Sequence, residues 1–446
     1  MSISKECVVI GGGISGLSSA FFLKRSGRDV ALYEKSDRVG GMIHTVTKEG
    51  FMLEEGPNAY MGHEGAICEM IDGLDISSQK ILAQPLAKNR FIYRRGRIHA
   101  VPQNPLKFMI SPLLSWSSKC RILMEPFLTK GRGEETIGQF FQKRIGPEAT
   151  RILIDAWVCG IYAGNIDELS AEACFPRWVA LERKHRSLFL GLFKDKSPKR
   201  DRTLFSFKSG MSYLPSCMEQ WLGKSIFKKH HVLNVEKTKK DHYTVILENE
   251  QGELVVETPT LIFATPAYVT AEALQHVDVA IATSLLRIAY APLCVFHWGF
   301  QKGHVLKKLN GFGFLVPRSQ RKRTLGVLWN SSLFEQRAPQ DHVLLTVMAG
   351  GAIDPTAYAD ELLMNQLYRE IKEMLDFQGP PVMTHEKRYL KALPQYRLGH
   401  LAMRAKVEDA LKQHPGLYII GNFLDGISTV ECIEKGRQCA LKAAGL

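Results

Sequence analysis

Between Val8 and Lys35 the chain reads VVIGGGISGLSSAFFLKRSGRDVALYEK, and no other stretch restricts the fold as strongly. Cys7 to Ile10 is a short apolar run of the kind buried in a parallel sheet. Ile14 to Lys24 then places apolar residues at helical spacing and stops before Gly27. Gly11, Gly13 and Gly16 fall at the strand-to-helix turn, interleaved with Gly12, Ile14 and Ser15. The first glycine permits the tight turn, the second lets a diphosphate approach the backbone, and the third lets the helix pack close to the sheet. The helix start offers unpaired N–H groups to the phosphates. A second strand, Asp29 to Glu34, ends in a carboxylate eighteen residues after Gly16, the placement that accepts hydrogen bonds from an adenosine ribose. A glycine-rich turn without a ligand would leave this register of strand, helix, strand and carboxylate unaccounted for.

Directly after Glu34 comes KSDRVGG, in which Lys35 and Arg38 precede Gly40, Gly41 and Met42. This RxGG arrangement resembles the FAD fold of flavin monooxygenases and amine oxidases, and so implies FAD. The glycine pair lets the backbone pass close to the cofactor, and Arg38 can face the diphosphate, the alternative being a solvated loop arginine. The stretch EEGPNAY, with Gly56, Pro57, Asn58 and Ala59, resembles a further flavin-contacting turn. Gly416 to Ala440 reads as a strand to Ile420, a turn at Gly421 and a helix from about Thr429. In those FAD folds this helix begins beneath the flavin, which brings Ile427, Ser428 and Thr429 to the ring. Its N-terminal dipole would stabilise negative charge there. The alternative is an ordinary strand–helix unit.

At 446 residues and 45% hydrophobic content, the chain can form two or three packed cores. Nine scattered cysteines without a CxxC pair read as reduced, mostly buried thiols in a cytosolic setting. A strand beginning near Cys7 leaves no room for a signal peptide, and no apolar run reaches the length of about 18 residues that a spanning helix needs. The net charge of +13 favours anionic partners. The basic runs KSPKRDR (Lys196 to Arg202) and RSQRKR (Arg318 to Arg323) read as solvated loops, and no nucleic-acid module accompanies them, so no nucleic-acid partner is expected.

The expected fold is α/β locally and α+β overall. It comprises a Rossmann-type FAD-binding domain of the amine-oxidase and p-hydroxybenzoate-hydroxylase kind, a mixed-sheet substrate domain and a helical, membrane-associating insertion. The FAD domain is discontinuous, 1–84, 202–268 and 385–446, and Val235 is expected near the adenine. Residues 85–104 and 269–384 form the substrate domain, with strands at LCVFHWGF and HVLLTVMAGG and a helix at Asp360 to Leu375. Phe205 to Leu222 reads as a helix. Residues 105–201 are helix-like, and Pro105 to Leu128 suits an interfacial surface better than a span, an ordinary helical core being the alternative.

NRFIYRRGRIHAVP (Asn89 to Pro102), GIYAGNIDELSAEACFP (Gly160 to Pro176), GFGFLVP (Gly311 to Pro317), TVMAGG (Thr346 to Gly351), PQYRLGH (Pro394 to His400) and DGISTVECIEKGRQ (Asp425 to Gln438) together resemble the protoporphyrinogen oxidase family, in family order and over almost the whole chain. The resemblance implies that Arg90 contacts a substrate propionate, where residues alone allow a solvated arginine beside Arg94, Arg95 and Arg97. It implies an apolar slot for a flat tetrapyrrole at Phe312, Gly313, Leu315 and Met348, which would otherwise read as core. Two departures stand out: Ile427 to Glu431 replace the family's GVxVNDCI pattern, and Leu401 stands where an aromatic residue is common.

The resemblance implies oxidation of protoporphyrinogen IX to protoporphyrin IX in haem biosynthesis. Six electrons leave in three flavin cycles, with oxygen as acceptor and hydrogen peroxide as product, or with a membrane electron acceptor. Catalysis would come from positioning against the flavin, with no catalytic side chain. Oxidation of coproporphyrinogen III is the near rival, an amine oxidase or carotenoid desaturase a more distant one, and a non-catalytic FAD-containing tetrapyrrole carrier a third. The expected location is cytoplasmic, peripheral on the inner face of the cell membrane. A contact with ferrochelatase and a homodimer are open.

Overall fold

The computed structural model describes residues 3–62, 64–128, 133–195, 201, 203–238 and 242–446. The basic run 196–202 therefore lies, Asp201 apart, outside the described residues. Cys7–Ile10 is buried throughout and forms the middle strand of a five-stranded parallel sheet in the order Ile226–Lys228, Val30–Glu34, Cys7–Ile10, Thr260–Phe263, Leu417–Ile419. A parallel strand covered on both faces needs a continuous apolar run, which CVVI and VALY supply.

The pleat divides that run between two cores. Cys7 and Val9 join Leu17, Phe21, Met218 and Ile433 beneath the helices Ile14–Arg25, Tyr213–Leu222 and Thr429–Ala444. Val8 and Ile10 join Val235, Val245, Ala271 and Leu285 on the opposite side. There a four-stranded sheet, ordered Ile3–Ser4, Gly252–Thr258, Tyr243–Asn249, His231–Lys237, packs with the helices Ala267–Leu274 and Val279–Leu286. All nine cysteines are free thiols, Cys120 being the exposed one.

Phe205 to Leu222 is not one helix. Leu204–Phe207 pairs with Tyr60–Met61 and Lys80–Leu82 as a strand, and the helix starts only at Tyr213. The alternating pair Phe205 and Phe207 is fully buried, and Gly210, at φ +91°, breaks the chain between the two elements.

A seven-stranded mixed sheet stands beside this unit in the order Met383–Pro394, Tyr290–Gln301, His342–Gly350, Thr324–Trp329, Gly313–Leu315, Arg90–Arg94, Arg97–Ala100. Phe296, Trp298 and Val347 on one face pack against the helix Leu363–Leu375, three residues shorter at its start than expected. On the other face Gly299 meets the ring of Phe51, and Leu344 and Met383 pack with Phe51 and Leu53. That face therefore turns towards the segment that follows the glycine fingerprint.

The third part is helical, with Trp116–Leu123, Ile137–Ile145, Asp155–Tyr162 and Pro176–His185 as its longer helices. Arg144 is buried at its centre and paired with Glu182 and Glu125, so its charge is compensated where water does not reach. The segment PQYRLGH ties this part to the rest. Gln395 donates to the carbonyl of Tyr162 at 2.9 Å, Ser170 donates to that of Tyr396 at 2.7 Å, and His400 Nε2 lies 2.9 Å from the carbonyl of Leu424. Among the described residues, no helix is long and apolar enough to cross a membrane.

Candidate functional site

The helix Ile14–Arg25 begins at Gly13 with no side-chain cap and no acidic residue in its first turn. Its first N–H groups therefore have no intrahelical acceptor. A Cβ on Gly13 would meet nothing within 4 Å, whereas one on Gly16 would lie 1.9 Å from the carbonyl oxygen of Gly11. Gly16 thus serves close packing, and Gly13 borders open space in front of unpaired donors. That is a cradle fitted to a diphosphate.

Glu34 forms the rim. Its Oε2 accepts from the N–H of Gly12 at 2.6 Å and its Oε1 from that of Ser36 at 2.8 Å, which fixes the carboxylate and leaves lone pairs for two ribose hydroxyls. Lys35 is exposed beside it. Gly40 and Gly41 take φ values of +100° and +58°, and a Cβ on Gly41 would lie 3.1 Å from the Cα of Gly13. Arg38 donates to the carbonyl of Gly41 at 2.9 Å and, more weakly, to those of Val39 and Ile43 at 3.4 Å. Its guanidinium thus braces this loop.

The turn after Glu55 continues the surface. A Cβ on Gly56 would lie 1.9 Å from the carbonyl of Met42, which places Pro57, Asn58 and Ala59 next to the glycine pair. Ser428 caps the helix Thr429–Ala444 reciprocally with Glu431: the Glu431 N–H donates to the Ser428 hydroxyl at 3.3 Å, and the Ser428 N–H donates to the Glu431 carboxylate at 3.2 Å. This leaves the first-turn amides of Thr429 and Val430, which no helical carbonyl can reach. Gly436 crosses the first helix so closely that its Cβ would lie 2.6 Å from that of Ser18. Cys432 lies beside the Ser15 hydroxyl, so the two helix starts are neighbours. Ile427 packs with the helical part, and Gly421 takes φ +156°. Val235 is fully buried, pairs with Val245 and packs in the same core as Ile10 and Tyr33, the residues that precede the glycine loop and Glu34.

The other expected residues meet at the near edge of the seven-stranded sheet. Arg90 pairs with Gly313, and its guanidinium lies 4.3 Å from the centre of the Phe312 ring. Phe312 packs in turn against the small cluster of Ala87, Leu333 and Phe334, as does Ala59. Gly313, at φ +131°, admits no side chain, because a Cβ would lie 2.0 Å from the carbonyl of Val327. Leu315 reaches the helix at Gly160, and Met348 packs with Cys159 and Ala163. Arg94 is committed elsewhere, at 2.6 Å from Glu148, and Arg95 and Arg97 lie at the far turn of the hairpin.

Sequence reasoning missed a polar cluster between sheet and loop. Glu55 is nearly buried and lies 2.7 Å from His44 Nδ1 and 2.8 Å from His385 Nε2. Burial raises its pKa, but the bonds from His44 and His385 with the charge of Lys387 outweigh burial and hold it below the ordinary carboxylate range. Beyond it, His297, Thr346 and Asn330 are buried polar residues on separate elements. No spacing in the sequence links them.

The family described as flavin containing amine oxidoreductase matches residues 14–442. Protoporphyrinogen oxidase of Homo sapiens is 30% identical over 479 residues, covering 99% of each chain. Coproporphyrinogen III oxidase of Bacillus subtilis (strain 168) is 28% identical over 472 residues, covering 98% of each. In fold, the chain superposes with a candidate protoporphyrinogen oxidase from Exiguobacterium sp. 255-15 at TM-score 0.84, with 23% identity over 100% of this chain and 99% of that one. It also superposes with reduced UDP-galactopyranose mutase at TM-score 0.78, 17% identical, over 99% of this chain and 94% of that one.

Proposed function

The chain belongs to the flavin containing amine oxidoreductase family and, within it, to the protoporphyrinogen oxidases, and from that premise we propose that it oxidises protoporphyrinogen IX to protoporphyrin IX. It is an FAD-dependent oxidoreductase, and bound FAD supplies the two-electron oxidation, with oxygen as the final acceptor and hydrogen peroxide as product. Three such cycles remove the six electrons.

The chain's own residues bind and orient. The amides at Gly13 to Ser15 hold the diphosphate, Glu34 the ribose, and the loop Arg38 to Met42 lies along the cofactor. The turn Gly56 to Ala59 and the helix start at Ile427 to Thr429 meet the ring. Val235 is retained for the adenine end. The strand Met383–Pro394 bonds to the substrate sheet, so we end that domain near 394 instead of 384. Phe312, Leu315 and Met348 supply an apolar slot that excludes water, and Arg90 neutralises a propionate.

One observation carries the reading: a cation at the slot's edge, Arg90, stacks on Phe312, which packs against the same cluster of Ala87, Leu333 and Phe334 as Ala59 of the flavin-side turn. Within the hairpin, Arg94 is held by Glu148 and Arg95 and Arg97 lie at the far turn, whereas Arg90 stacks on Phe312. That supports a substrate with two carboxylates over coproporphyrinogen III with four. Anaerobic mixing of the purified yellow protein with each porphyrinogen, following flavin absorbance, tests this. Bleaching by protoporphyrinogen IX is expected, and flavin that neither substrate reduces would remove the oxidase reading in favour of a carrier.

Exposed apolar side chains at Leu106, Ile110, Trp116, Phe127 and Phe193 support a peripheral membrane site on the helical part. Their exposures run from 64% to 89%, with Lys119 over the Trp116 ring at 4.4 Å. An apolar product favours such a location, on the cytoplasmic face.

A further inference from the structure

A line of polar side chains runs from the interior of the seven-stranded sheet to the turn at Asn58. His297 Nδ1 lies 2.9 Å from Thr346 Oγ1. Thr346 donates to Asn330 Oδ1 at 2.7 Å, Asn330 Nδ2 to Asn58 Oδ1 at 2.7 Å, and Asn58 Nδ2 to the carbonyl of Gly56 at 3.1 Å. His297 and Thr346 are completely buried, and Asn330 nearly so.

The line can run in only one direction. A backbone carbonyl only accepts, so Gly56 requires an N–H from Asn58, which leaves Asn58 Oδ1 to accept from Asn330. Asn330 then offers Oδ1 to the Thr346 hydroxyl, and the hydroxyl oxygen, its proton already given, accepts from the ring of His297. Nδ1 therefore carries a proton, which in a neutral ring leaves Nε2 bare. Two observations agree: Nε2 is buried with no partner among the described residues, and burial pushes the ring down to about 3, with His385 acting in the same sense and Glu55 opposing. The second hydrogen on Asn58 Nδ2 has no partner among the described residues, so it is the one donor the line leaves over at this end.

We propose that His297 is a positioning residue which, through Thr346 and Asn330, locks the Asn58 amide so that this spare N–H faces an acceptor of the flavin ring. The inference rests on the reading that the turn Gly56 to Ala59 meets FAD. The oxidised ring presents acceptors at its nitrogens and carbonyl oxygens. A donor held there strengthens as negative charge arrives, whereas a flipped amide would present a lone pair and oppose it. A residue inside the substrate sheet, touching neither reactant, thus tunes how readily the cofactor takes electrons.

Four variants of the full-length flavoprotein test it. Thr346→Val keeps the shape and removes the hydroxyl, and Thr346→Ser returns it. His297→Phe removes the terminal donor, and His297→Asn restores one near Nδ1. Thr346→Val and His297→Phe should retain stoichiometric FAD, alter the visible spectrum of the bound flavin, and slow its anaerobic reduction by protoporphyrinogen IX roughly five- to tenfold at nearly unchanged KM. The Ser and Asn variants should recover to within about twofold of the parent. Thr346→Val with parental spectrum and rate would overturn the inference even if both His297 variants misfold. A wild-type protein that binds no flavin would remove the parent reading and this one together. A yellow, reducible wild type with a silent Thr346→Val removes this one alone.

Discussion

Gly12 and Glu34 are joined by a 2.6 Å hydrogen bond from backbone N–H to carboxylate, so the glycine loop and the end of the second strand hold each other in place independently of any ligand. Glu34→Gln keeps one acceptor but cannot serve Gly12 and Ser36 equally, and it loses the charge that shortens both bonds. FAD affinity of the apoprotein should fall by roughly ten- to thirtyfold, the worth of about one charge-assisted bond. Reconstitution titrations with parental affinity would show that the carboxylate serves only the loop.

Gly13 and Gly16 should fail differently. Gly13→Val faces open space at an ordinary φ of −68°, so the protein should fold with its normal melting temperature and purify colourless. Gly16→Ala meets the Gly11 carbonyl, and the strain should cost about 1–3 kcal/mol of stability. A Gly13→Val protein that stays yellow would displace the diphosphate from this turn.

Arg90→Ala should leave flavin content unchanged and lower kcat/KM for protoporphyrinogen IX by roughly ten- to a hundredfold, the range for losing a hydrogen bond to a charged group. A loss confined to FAD binding, with normal turnover of the remaining holoprotein, would contradict a substrate-facing role.

His297 predicts a pH dependence with a definite sign. Its folded-state pKa is lowered to about 3 from 6.5, so the unfolded chain takes up the proton first as pH falls. The group's contribution is therefore complete above pH 6.5 and declines towards pH 3. From pH 7 to pH 5 this amounts to about 2 kcal/mol. Urea unfolding at both pH values should show that decrement in the wild type and its absence in His297→Leu. His385 and Glu55 remain in both proteins, so the difference isolates the buried ring.

Phe127→Glu combined with Phe193→Glu should abolish co-sedimentation with anionic vesicles while leaving the flavin spectrum intact, since both side chains are at least 80% exposed. Undiminished sedimentation would place the membrane surface elsewhere.

Local chemistry made much of this architecture readable. The run Val8 to Lys35 carries its strand, turn and helix in contiguous residues, and Gly13 and Glu34 announce their tasks by spacing. Phe205 to Leu222 was misread because the alternation Phe205, Ser206, Phe207 is too short to outweigh the helical pattern after Tyr213. Met383–Pro394 carries charges such as Glu386, Lys387 and Arg388, which obscured a twelve-residue strand at the edge of a sheet. The line from His297 to Asn58 had no local signal, because its members come from a strand, a second strand, a short helix and a loop, and only the register of His297 opposite Thr346 unites them.

The middle of the parallel sheet has a consequence for the making of the protein. Thr260–Phe263 separates Cys7–Ile10 from Leu417–Ile419, so its two neighbours lie far apart along the chain. During most of synthesis the first strand waits without the partners that complete its sheet, and such distant pairings form slowly. Until those pairings form, apolar surface of the nucleotide fold stays bare, and a finished cofactor cradle depends on a strand far along the chain from the glycine loop.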